Sequence, residues 1–198
     1  MISHVLKEYE PACDGIYLFG NLNALEFYRK MGFKTENQYT YFVKDAYCQS
    51  GKTEGSFRPV KDMSDEIKRR YPELVRGSIC HSSLEQINKY GLQMFYTAGL
   101  DNVYYSDDLD CFIVYEQDNG PVLRSILCKK KAALIDVVQH MELNGNTCRL
   151  GFVPLTEDID LCFCEAYDGG DDYRLFYRGE ELESIERDRL YFPDLSHA

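Results

Sequence analysis

The chain has 198 residues, 44% of them hydrophobic and 28% charged, enough for one ordinary domain or two small ones with a buried core. Its 22 Lys and Arg against 33 Asp and Glu leave a net charge of -11, which argues against a nucleic-acid backbone binder. No apolar run approaches the ~18 residues that span a bilayer, and the first residues carry neither a basic flank nor an apolar signal core. No membrane partner is expected, and the cytoplasm is the default compartment.

Residues 2–10 predict a helix with Ile2, Val5, Leu6 and Tyr9 on one face. Pro11 and Gly15 end it. Residues 15–20 form a short apolar run between glycines, suited to a buried strand. Asn21 or Asn23 caps the next helix, where Leu25, Tyr28 and Met31 recur at helical spacing and Gly32 stands at the stop. Residues 37–44 are aromatic and β-branched, hence strand-like. Residues 48–59 are rich in Gly, Ser and polar groups and read as a linker. Charge divides there too: residues 1–45 hold 5 basic and 6 acidic groups, the rest 17 and 27.

Beyond the linker, residues 62–75 predict a helix broken near Pro72, and 82–90 a helix opened by serine caps. Three strands are expected at 92–98, 110–117 and 121–128, the last two joined as a hairpin by Asp118, Asn119 and Gly120. Residues 131–143 predict a helix stopped at Asn144 and Gly145. Strands at 147–153, 160–167 and 173–178 complete the order.

The eight cysteines read as reduced, mostly buried thiols, because most lie inside apolar strand-like runs. Cys162 and Cys164 point to opposite faces of a strand and cannot share a zinc ion. The four histidines lack metal-ligand spacing, so no metal is expected.

The most informative stretch is residues 15–33. Asn23, Ala24, Phe27, Tyr28, Lys30, Gly32 and Phe33 follow a short apolar strand. In this pattern they resemble the closing motif of the GNAT acetyltransferase superfamily. The resemblance implies an α+β fold: a GNAT-like mixed, mostly antiparallel sheet flanked by helices. It implies acetyl-CoA as cosubstrate, an amine on a small molecule or peptide as acceptor, and transfer of the acetyl group to that amine. It assigns cofactor contacts to Asn23, Ala24, Phe27, Tyr28 and Lys30, and makes Tyr28 the acid that protonates the departing thiolate. A phenol with a reference pKa near ~10 stays protonated at neutral pH and suits that role. The competing reading makes Tyr28 a helix residue packed on a sheet and Asn23 a cap.

The family's Gly-rich pyrophosphate loop is not visible before this motif. Residues 1–47 are therefore expected to be the C-terminal portion of a GNAT domain, with an incomplete first sheet, and 48–59 the linker. Residues 60–198 are expected to form a second, degenerate GNAT-like unit. In that unit Lys129, Lys130 and Lys131 precede a helix without glycine, as a solvated helix start or a phosphate-attracting patch.

Weaker signals remain. Gly51, Lys52 and Thr53 lack the first glycine of a nucleotide loop. Asp168 to Asp172 reads as a solvated turn, not a calcium loop. Residues 157–188 carry 12 acids against 3 Arg, a solvated face whose rim favours a cationic amine. His197, or a C-terminal carboxylate docked in a cleft, is a candidate base set against a tail packed along the sheet. The alternative function is a non-catalytic GNAT-derived interaction or dimerisation module, with open strand edges pairing either within the chain or in a homodimer.

Overall fold

The computed structural model describes residues 2–49, 56–117 and 119–197. The nucleotide-loop triplet at 51–53, half of the expected linker and Asp118 of the expected turn lie outside the described residues. The first elements are α1 (Ile2–Tyr9), β1 (Ile16–Gly20), α2 (Leu25–Lys30), β2 (Lys34–Thr35), β3 (Gln38–Val43) and β4 (Arg58–Pro59). Then come α3 (Asp65–Gly77), α4 (Tyr90–Tyr96), β5 (Val103–Ser106), β6 (Cys111–Gln117) and β7 (Pro121–Cys128). The last are α5 (Leu134–His140), β8 (Arg149–Leu150), β9 (Cys162–Tyr167) and β10 (Arg174–Arg178). The fold is mixed α+β, with mostly antiparallel sheets flanked by helices.

Two compact units result, and neither is continuous in sequence. The first is Met1–Tyr39 with Glu165–Tyr191, the second Thr40–Cys164 with Phe192–Ala198. The chain changes unit inside β3, inside β9 and after Tyr191.

The first unit holds a three-stranded sheet in the order β1-β10-β2, antiparallel throughout. The late strand β10 thus sits between two early ones and supplies pairing that residues 1–47 lack on their own. Leu6, Phe33 and Phe176 form the buried centre, with Leu25, Tyr28 and Met31 packed around it. The expected apolar face of α1 is only partly covered: Leu6 is buried, while Val5 and Tyr9 are exposed. Nor is β1 a buried strand; every residue in it is half-buried, because it lies at the sheet edge.

The second unit holds a seven-stranded sheet in the order β4-β5-β6-β7-β8-β3-β9. Here the early strand β3 lies between two late ones. The β6–β7 hairpin forms as expected, and Asn119 and Gly120 take positive φ in its turn. Tyr71, Leu74 and Val75 of α3 pack on Val103, Tyr105, Phe112 and Leu127. That burial keeps α3 continuous through Pro72, where a break was expected; the helix loses one backbone donor and keeps its apolar stripe.

Two expectations are corrected. Residues 92–98 are not a strand. Tyr90, Gln93, Met94 and Thr97 recur with helical period, and the first seven residues from Tyr90 form α4. Residues 82–89 do not form a helix. Ser82 Oγ bonds both the N–H and the C=O of Leu84, and Ser83 binds the Val153 and Pro154 carbonyls. These bonds compete with a helical ladder. The strand β5 was hidden between Gly99 and Asp107, and the expected strand at 147–153 pairs only as the short β8.

Candidate functional site

In the first unit Asn21, not Asn23, caps the 3-10 turn Leu22–Ala24 that leads into α2: its side-chain oxygen accepts the Asn23 N–H at 2.8 Å. The Leu22 N–H donates to the Asp171 carbonyl at 2.6 Å, and the Ala24 N–H to the Asn21 carbonyl at 2.9 Å. The Asn21 amide also reaches the Asp172 carboxylate. The backbone donors heading this helix are thus engaged by the unit's own groups, leaving the exposed Asn23 side chain facing water.

Tyr28 is half-buried over the end of β1. Its ring lies 4.5 Å from that of Phe176 and 6.0 Å from that of Phe33, centroid to centroid. A Cβ at Gly20 would come within 3.2 Å of this ring, so the strand end must be small to admit it. Phe27 and Lys30 are exposed, Ala24 half-buried. On α2 the motif thus turns Tyr28 inward and leaves Phe27 and Lys30 outside, and Phe33 just beyond the helix is buried in the same core.

A recess lies in the second unit. The parallel strands β7 and β8 pair only through Val122 with Arg149 and Leu123 with Leu150. After the Gly151 N–H bonds the Leu123 carbonyl, the strands part. The Gly151 carbonyl instead takes the N–H of Asp194, from the C-terminal segment. Arg124, Ser125 and Ile126 on one side and Phe152 on the other line the opening, with His81, Ser82, Glu85 and Lys89 above it and Leu195 below. The recess is partly open to solvent and has a cavity volume of about 30 Å³.

Charges around it are paired. Buried Asp194 meets Arg149 at 2.9 Å and Arg124 at 3.8 Å, and Arg124 also meets Glu116 at 2.9 Å. The Arg124 Nε is buried with no hydrogen-bond partner among the described residues. Glu85 lies 3.4 Å from Lys89. His197 is half-buried nearby, and burial lowers its affinity for a proton. Its carbonyl accepts the Tyr96 hydroxyl at 2.6 Å, so the tail is tied to α4.

Behind the recess wall lies a thiol–imidazole cluster that sequence reading missed. Cys128 Sγ is 3.3 Å from His81 Nε2. The His81 Nδ1–H donates to the Ile79 carbonyl at 3.2 Å, so Nε2 is the acceptor for the Cys128 thiol. Cys111 is the direct cross-strand partner of Cys128, and its thiol donates to the Phe112 carbonyl at 3.3 Å. The neighbouring Cys111 thiol, and then the imidazole, hold the Cys128 thiol below the usual range against the opposing effect of burial, whereas Cys111 is pushed up. No periodicity announces this: the cysteines are 17 positions apart by their numbers and meet only through the hairpin register.

Other expectations find their places. Asp168 closes a turn, accepting the Gly170 N–H at 2.8 Å and Arg174 at 3.1 Å, which hold its carboxyl low. Among the described residues no three His, Cys, Asp or Glu side chains are grouped to hold a metal ion, and no helix is long and apolar enough to cross a membrane. Lys131 pairs with Glu157, while Lys129 and Lys130 are exposed ahead of α5.

No family model matches the chain, and no curated protein does. Among solved structures it is similar to the crystal structure of a GCN5-related N-acetyltransferase from Kribbella flavida, at 13% identity and a TM-score of 0.47. The similarity covers 91% of this chain and 47% of that one, so this chain spans about half its length.

Proposed function

We propose that the chain is a GNAT-type N-acyltransferase unit that takes an acetyl group from acetyl-CoA to an amine. The observation that supports this best is the opening between parallel β7 and β8, a slot for an extended acyl carrier where the pairing stops after Leu123 with Leu150. The order of elements from β4 to β8 in the second unit supports it too: strand, two helices, three antiparallel strands, helix, then a strand parallel to the last. Glu85, the carboxylate on the recess wall, accepts the proton of the incoming amine. The acidic stretch at 157–188 favours a cationic acceptor. Within the first unit, and separately from the recess, the resemblance assigns Tyr28 as thiolate acid and Asn23, Ala24, Phe27 and Lys30 as carrier contacts on and just before α2.

Thermal denaturation with acetyl-CoA tests the reading. Millimolar acetyl-CoA raises the melting temperature of the wild type. Ser125→Trp, which fills the opening, abolishes that shift. Tyr28→Phe retains the shift and lowers amine acetylation by about 10²–10⁴-fold. Neither a shift nor acetylation of a panel of amines removes the enzymatic reading.

The second reading is a non-catalytic interaction or dimerisation module. The edge position of β1 and the exposed Val5, Tyr9 and Phe27 favour it. Sedimentation separates the two: a concentration-dependent dimer without an acetyl-CoA shift supports the module.

A further inference from the structure

We propose that Cys128 and Cys111 form a peroxide-responsive redox site, in which Cys128 is oxidised first and Cys111 closes a cross-strand disulfide onto it. This inference is independent of the acyl-transfer reading.

The geometry carries it. The two cysteines are directly opposed in the β6–β7 ladder, so their side chains leave the same face. Directly opposed antiparallel residues have Cα atoms about 4.5–5.5 Å apart, inside the ~4.4–6.8 Å span of disulfides. The remaining parts are a nucleophile, its base and an orienting group. His81 Nε2 stands 3.3 Å from Cys128 Sγ, and the Ile79 carbonyl fixes the ring through Nδ1.

A small oxidant would reach Cys128 past His81: the thiol is buried and not itself on the recess, but the imidazole 3.3 Å from it lines the recess, whose volume of about 30 Å³ exceeds the ~10–15 Å³ that one water needs. Other thiols are less suited: burial pushes up Cys48, Cys148 and Cys162, and Cys80 as well.

The chemistry balances. The Cys128 proton passes to His81 Nε2. The thiolate attacks hydrogen peroxide; an S–O bond forms, the O–O bond breaks, and the leaving hydroxide takes the proton from His81 as water. The Cys111 sulfur then attacks the sulfenic sulfur. An S–S bond forms, the S–O bond breaks, and hydroxide leaves with the Cys111 proton as a second water. Two thiols lose two electrons, and one peroxide becomes two waters. Closure deprives His81 of its thiol donor, so the oxidation state of the hairpin is felt at the recess wall.

The test uses the full chain treated with hydrogen peroxide, alkylated, digested without reductant and mapped by mass spectrometry. The expected result is a linked peptide pair holding Cys111 and Cys128, two hydrogens lighter than the thiols and separated by dithiothreitol. Cys111→Ala stops at a sulfenic acid on Cys128 that dimedone traps. His81→Asn slows disulfide formation by about tenfold or more. Wild-type protein whose Cys111 and Cys128 remain thiols while exposed Cys13 and Cys80 oxidise overturns the proposal. So does His81→Asn oxidising at the wild-type rate. The wild-type map decides even where a cysteine variant does not fold.

Discussion

The two units bury their sheets to different depths. In the first, β1 is half-buried along its whole length, and the buried centre is small: Leu6, Phe33 and Phe176. In the second, Cys111, Phe112, Ile113 and Val114 of β6 are all buried, as are both ends of β7. The conspicuous sequence motif sits in the shallower unit, where its helix-heading N–H groups already have partners. The reactive cluster sits in the deeper one and has no motif. Burial, by stripping water from a thiol and an imidazole, makes their mutual geometry matter chemically, and the open unit offers less of that.

The sharpest way to break this contrast is Phe112→Ala. Its ring is fully buried between those of Tyr71 and Tyr105, 5.7 and 4.6 Å away. The loss should be about 3–5 kcal/mol by urea denaturation. A cost under about 1 kcal/mol shows that the second unit is not the tightly packed one.

Asp194→Ala comes next. It leaves Arg149 and Arg124, both mostly buried, without their shared carboxylate. A loss of about 2–3 kcal/mol is expected, below the ~3–5 of a fully buried pair because both guanidiniums reach some water. An unchanged denaturation midpoint sinks this expectation.

A smaller effect of opposite sign belongs to the first unit. Burial and the charge of Glu186 raise the pKa of Glu36, whose Oε2 is buried with no hydrogen-bond partner among the described residues. A carboxyl with a folded pKa above its unfolded 4.5 is destabilising when charged. Its penalty is full above the folded pKa and vanishes as pH falls below 4.5. Glu36→Gln should therefore stabilise by about a few tenths of a kcal/mol at pH 7, after solvent screening, and by nothing in acid. A gain that persists below that pH contradicts the ionic origin. Smallest of all, Val5→Ala on the exposed side of α1 should stay within about 0.5 kcal/mol.

Local chemistry made part of the fold legible. Asn119 and Gly120 announce a hairpin because both must take positive φ. Gly32, at φ +81, ends α2 for the same reason. Leu25, Tyr28 and Met31 recur at helical spacing and do pack on one core. Reading failed where polar residues were buried. Gln93 and Thr97 look like surface positions, yet they complete the inner face of α4 beside Tyr71, whose hydroxyl donates to Thr97 at 3.0 Å. Of the candidate site, Tyr28 was legible as an inward helix residue, whereas the recess and the Cys111–Cys128–His81 cluster were not.

By itself the sequence determined the periodicities, the turns and the mixed α+β character, since each depends on neighbours a few residues away. Only the tertiary structure decided which strands adjoin. It put β10 between β1 and β2, β3 between β8 and β9, and Cys111 opposite Cys128. Those pairings join residues far apart in the chain, and their register is set by which faces can leave water together, a property of the assembled sheets that no local run of residues contains.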